Sequence, residues 1–189
     1  YAVFQRGKIM RALEEYDMMI NHFNAYVARE DVPEKVRVAE ALYWIGWAYS
    51  RKDDRAQAFP VFMSALENYG NDRYAGETDG ILQALQRLHQ EYRRGETPDL
   101  EATTSKAAAL LAAEDFEDFL QSERTRALQQ GRLTYYSRLN LYLASMEERR
   151  KNPDRAEAYL WEIVEYVPPE QLDAQGLAET GLILQAQGF

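Results

Sequence analysis

Apolar residues recur at intervals of three and four along nearly the whole chain, and this periodicity limits the fold more than any other feature. Ala39, Leu42, Ile45 and Tyr49 share one helical face. Ile81, Leu82, Leu85, Leu88 and Tyr92 share another, and Leu139, Tyr142, Leu143 and Met146 a third. No alternating run is long enough for a strand, so the chain reads as all-α. The spacing predicts helices over 8–28, 33–51, 54–69, 75–93, 98–112, 115–130, 132–150, 153–166 and 170–187. Pro33 and Pro98, preceded by Asp31 and Thr97, fit first turns, whereas Gly70, Gly95 and Gly131 fit positions just past last turns. Connections this short make successive helices antiparallel neighbours. With 189 residues, 46% of them hydrophobic, the chain can bury a core as one folded unit.

Residues 41–49, ALYWIGWAY, place a glycine among four large rings inside a helical stretch. Glycine costs a helix roughly 1 kcal/mol relative to alanine, so Gly46 implies a close approach by a neighbouring helix. The stretch is part of a longer pattern: Leu42-x2-Ile45-Gly46-x2-Tyr49, then Ala58-x3-Phe62-x2-Ala65, closed by Gly70. This resembles the tetratricopeptide repeat, a 34-residue helix–turn–helix unit with the pattern W-x2-L-G-x2-Y, A-x3-F and a closing proline. The departures are leucine for tryptophan, isoleucine for leucine, and Gly70 for the proline. Pro60, one turn into the second helix, should kink or delay it.

Weaker echoes flank this unit. GKIMRALEEYDMMINHF resembles the second half of a repeat, with Gly7 at the inter-helix turn, Ala12, Tyr16 and Met19 following, and Tyr1–Arg6 as the tail of a first helix. Leu143-Ala144 resembles the Leu-Gly pair, followed by Ala156, Leu160, Ile163 and Pro168. Leu177-x3-Gly181 resembles one more first helix. The implied architecture is a single α-solenoid of antiparallel hairpins over 1–189, with its best repeat at 39–70 and degenerate ones at 1–28, 71–131 and 139–189, the middle being irregular hairpins. An array that starts and stops inside repeats is expected to be a segment of a longer protein, with apolar end faces capable of end-to-end self-association.

The resemblance also implies a concave groove lined by positions two, five, nine, twelve and thirteen of each first helix. In the best unit these are Glu40, Tyr43, Trp47, Ser50 and Arg51; in the last hairpin they are Arg138, Leu141, Ser145, Glu148 and Arg149. Tyr, Trp and Arg dominate binding hot spots because they combine rigid contact area with a polar handle. Trp44 is expected to pack against a neighbouring helix, while Trp47 stands between groove and core.

Chemistry leaves few marks. The chain has no cysteine, which removes thiolate nucleophiles, thiolate metal sites and disulfides and leaves the redox compartment open. No phosphate loop, zinc helix or nucleophile elbow is present. His22 and His89 fall in different hairpins without a partner at ligand spacing, and Glu114, Asp115, Glu117 and Asp118 read as an acidic first turn. Arg149, Arg150 and Lys151 read as cations at a helix end. A net charge of −9 disfavours phosphate backbones, so nucleic acid is not an expected partner. The apolar run at 107–113 is too short to span a bilayer and lacks the cationic face of a surface-lying helix.

The expected function is therefore a non-enzymatic scaffold, without cofactor, that holds a peptide or helix of a partner protein. The alternative is the accessory helical region of a larger enzyme or receptor. A helical enzyme or small-ligand sensor finds no clustered acid, base or nucleophile; carboxylate pairs such as Glu14 and Glu15 occur on any acidic helix. The repeat style, ending in LENYG, is similar to repeats of bacterial envelope-assembly proteins, which leaves envelope and cytoplasm both open.

Overall fold

A computed structural model describes residues 2–29, 37–72, 74, 80–172, 176–178, 181–182 and 185. Among them the structure is helical throughout, without strands. The helices are α1 (Ala2–Ala12), α2 (Tyr16–Ala28), α3 (Val38–Arg51), α4 (Arg55–Tyr69), α5 (Ile81–Arg93), α6 (Ser105–Ala112), α7 (Phe116–Gln129), α8 (Leu133–Arg149) and α9 (Pro153–Tyr166), with a 3-10 turn at Pro169–Gln171. Consecutive helices pack as antiparallel hairpins, α1 on α2, α2 on α3, α3 on α4, α4 on α5, then α7 on α8 and α8 on α9. This is the expected all-α solenoid. The short α6 touches α4, α5 and α7 together, and so makes the middle irregular.

Three hairpins share one internal register. Gly7 and Gly46 each sit mid-helix beneath a phenylalanine sixteen positions later: an added Cβ would lie 2.7 Å from Phe23 Cε2 in one case and 2.6 Å from Phe62 Cε1 in the other. Ala144 stands at the same distance in sequence from Leu160, in the α8–α9 hairpin. Seven positions after each small residue comes a left-handed turn residue, Glu14 (φ 57°), Asp53 (φ 64°) and Lys151 (φ 61°). The next residue then closes the turn by donating its N–H five residues back, Glu15 to Met10, Asp54 to Tyr49 and Asn152 to Glu147, each at 2.9 Å.

This register corrects the reading of the N-terminus. The expected helix 8–28 is two helices, broken at Leu13–Glu15, and Gly7 lies inside α1 rather than at a turn. The break is invisible to periodicity because the apolar pattern runs through it and Glu14, not a glycine, takes the left-handed conformation. In the corrected register Met19, Phe23 and Tyr26 stand where Ala58, Phe62 and Ala65 stand in the best unit.

Other boundaries moved as well. The helix expected from 98 starts at Ser105, because the Thr104 hydroxyl, not Thr97, accepts the N–H of Ala107 at 3.1 Å. Buried Leu100 anchors the extended lead-in instead. Pro60 neither delays nor interrupts α4, which starts at Arg55 behind an Asp54 cap that accepts Gln57 N–H at 3.2 Å. Gly95 and Gly131 follow helix ends with φ of 74° and 66°, as their positions implied. The starts expected at 33 and 75, with Asp31 and Pro33, and most of 170–187 lie outside the described residues.

The core has two parts. Phe4, Met10, Met19, Ile20 and Phe23 join Ala41, Ile45 and Ala48 of α3 in a smaller cluster, while a larger one extends from the opposite side of α3 to α9. Leu42, Trp44, Trp47 and Tyr49 pack against both. ALYWIGWAY is therefore the seam of the array.

Candidate functional site

Beside that seam opens a groove of about 520 Å³. Tyr43, Trp44, Trp47 and Ser50 enter it from α3, Gln83, Ala84, Arg87, Leu88 and Glu91 from α5, and Arg11 from α1. The described helices α1, α3 and α5 thus all face one space. Arg55 and Phe62 of α4 and residues Tyr74 and Gly80 complete the lining.

Why the rings stand there follows from local packing. Gly46 lets Phe62 press against the α3 backbone, so Tyr43, one turn earlier, rests on the Phe62 ring at 6.1 Å between centroids and on Tyr74 at 5.8 Å. Trp44 meets Tyr43 edge-on at 5.0 Å and Trp47 at 5.7 Å, and Tyr16 of α2 abuts Trp47 at 5.9 Å. Edge-to-face pairs of this kind fix ring orientation as well as adding stability. The guanidinium of Arg11 lies over Trp44 at 5.2 Å and Trp47 at 5.9 Å, and that of Arg51 lies 5.8 Å from the Trp47 ring. Ser50 turns its hydroxyl back to the Gly46 carbonyl at 3.0 Å. Arg55 donates to Glu91 at 3.1 Å and also pairs with Asp53.

Of the five residues expected to line a groove, Tyr43, Trp47 and Ser50 come together here, and Tyr43 is largely buried. Glu40 is not among the lining residues. It is 3% exposed and paired with Arg37, whose pKa that hydrogen bond raises. Arg51 is exposed outside the groove, with its pKa raised by a hydrogen bond to Tyr16. Trp44 both packs against its neighbours and lines the groove.

The second set is dispersed. Arg138 and Leu141 are buried, Ser145 donates to the Tyr142 carbonyl at 2.8 Å, and Glu148 is exposed. Arg149 lies over Tyr142 at 5.8 Å and lines an adjoining cavity of about 300 Å³ with Gln86, Gln90 and Gln83, the last of which it shares with the groove.

Arg11, Arg55, Arg87 and Glu91 were not anticipated. Arg11 had a signal: it follows Gly7 by four positions, as Ser50 follows Gly46, so in the corrected register it occupies a groove position.

The titratable side chains elsewhere are structural. His22 Nε2 donates to the Val3 carbonyl at 2.8 Å, and His89, fully buried, donates to the Ala113 carbonyl at 3.1 Å, burial holding its pKa below the usual value. Asp115 caps α7 through the N–H of Asp118 at 2.9 Å, and Glu117 receives Arg150 at 2.6 Å and Arg155 at 3.1 Å. Among the described residues no group of three or more histidine or carboxylate side chains could hold a metal ion, and no helix is long and apolar enough to cross a membrane.

Comparison with known proteins gives one match. The tetratricopeptide repeat family model matches residues 40–72, the α3–α4 hairpin and the turn after it. No curated protein and no solved structure matches the chain.

Proposed function

Because the chain carries a tetratricopeptide repeat at residues 40–72, we propose that it is a non-enzymatic scaffold that holds a segment of a partner protein in the groove beside α3. Repeats of this family generally mediate protein–protein interaction. The observation that carries the proposal is the direction of the side chains. Alternate helices turn Trp44, Trp47, Arg11 and Arg87 toward one open groove, although rings of that size usually serve a helical array best in its core. Those residue types supply most of the energy at protein interfaces.

Site-specific photocrosslinking in the cell of origin tests it. A photoreactive residue at Gln83, on the groove wall, should trap a protein partner, whereas one at exposed Thr125 on α7 should not. Trapping from Thr125 alone would move the interface to the outer surface and end the proposal.

A further inference from the structure

The described residues that line the groove are net positive in an acidic chain. Against a net charge of −9 overall, its lining holds three guanidiniums and one carboxylate among the described residues. Arg55 is already matched by Asp53 and Glu91. Arg11 and Arg87 are both exposed, and neither forms an ion pair with a carboxylate among the described residues.

The tryptophans sharpen the sign. A pair of indole rings in a groove ordinarily attracts a cationic ligand through the negative faces of the rings. Here that place is filled from within the chain, by Arg11 over both rings and Arg51 beside Trp47. What remains for a ligand is the N–H edge of a guanidinium, whose planar fork matches a carboxylate in two parallel hydrogen bonds.

We propose that the segment held here is acidic: an internal stretch of a partner chain in which two Asp or Glu side chains reach Arg11 and Arg87 and an apolar side chain between them rests on Tyr43 and Ala84. Two guanidiniums on separate helices call for two carboxylates, which side chains along an extended segment supply. The proposal rests on the groove being a protein-binding site.

Selection from a library of random twelve-residue segments, each embedded between carrier domains so that neither terminus is free, tests it on the full chain. Enriched sequences should carry Asp or Glu on both sides of an apolar residue. A terminally blocked peptide made from one of them should bind about tenfold more weakly to Arg11→Gln or Arg87→Gln, recover only in part with lysine at either position, and weaken as salt is raised. Neither arginine forms an ion pair with a carboxylate among the described residues, so Arg87→Gln should keep the wild-type melting temperature, whereas Arg11→Gln, which also gives up the place over Trp44 and Trp47, should lower it slightly. Enrichment of neutral or basic sequences that still depend on Trp47, judged with both Trp47→Ala and the milder Trp47→Phe, would overturn the acidic assignment and leave the groove reading standing. Sequences indifferent to Trp47 and to both arginines, or no enrichment, would overturn both.

Discussion

A Cβ placed on Gly46 would stand 2.6 Å from Phe62 Cε1, so α3 and α4 reach their native separation only because position 46 has no side chain. Phe62 is 2% exposed and has nowhere to retreat. Gly46→Ala should therefore lose stability, by up to about 2 kcal/mol net, overpacking of roughly 1–3 kcal/mol outweighing the ~1 kcal/mol helix gain. Adding Phe62→Leu should restore part of that loss, a non-additivity that urea unfolding midpoints of the single and double variants would show.

Trp47 separates binding from folding. It is half-buried, leaning on Tyr16, Trp44 and two guanidiniums, whereas Phe62 below it is sealed. Trp47→Ala is expected to weaken a groove partner by about 2 kcal/mol, as hot-spot truncation does, and to lower unfolding stability by about half as much. Calorimetric titration and thermal melting of the same preparation compare the two.

The irregular middle is held by a buried charge cluster. Glu123, 2% exposed, accepts Lys106 of α6 at 2.6 Å and Arg126 at 2.7 Å, with the Tyr135 hydroxyl at 3.4 Å. Removing the carboxylate strands a buried ammonium, so Glu123→Gln should cost about 3 kcal/mol. Lys106→Met leaves the carboxylate with Arg126 and should cost distinctly less, which chemical denaturation of the two variants would reveal.

Acid should loosen the chain in two stages. His89 has its pKa pushed below 6.5 by burial, partly opposed by its hydrogen bond to the Ala113 carbonyl. Its contribution is complete above 6.5 and falls away as pH drops below that value. Burial pushes Glu147 up, but hydrogen bonds and charge from Arg150, Arg155 and Asn152 outweigh it and hold the pKa below 4.5, so its contribution fades only at lower pH. Urea midpoints measured from neutral pH to below 4.5 should lose their first slope in His89→Gln and their second in Glu147→Gln.

Fold class was legible because helical periodicity and the Gly46–Phe62 spacing are local signals. The N-terminal hairpin was misplaced because its turn uses Glu14 in a conformation that sequence habit assigns to glycine. The same sixteen-residue spacing, Gly7 to Phe23, would have placed it and, with it, Arg11. Arg87 and Glu91 had no such marker. They reach the groove through the way α5 docks on α4, and long-range docking has no local signature.

The division of the core at α3 has a mechanical consequence. Pulled from its N-terminal end, a quasi-linear array yields at its weakest boundary, and among the described residues α1 and α2 share their smaller cluster with α3 and, beyond it, with Val61 of α4. The groove crosses that boundary, taking Arg11 from one side and Arg87 from the other. Any occupant bridging them would act as a clasp, so the force at which α1–α2 peels away becomes a gauge of whether the array is loaded.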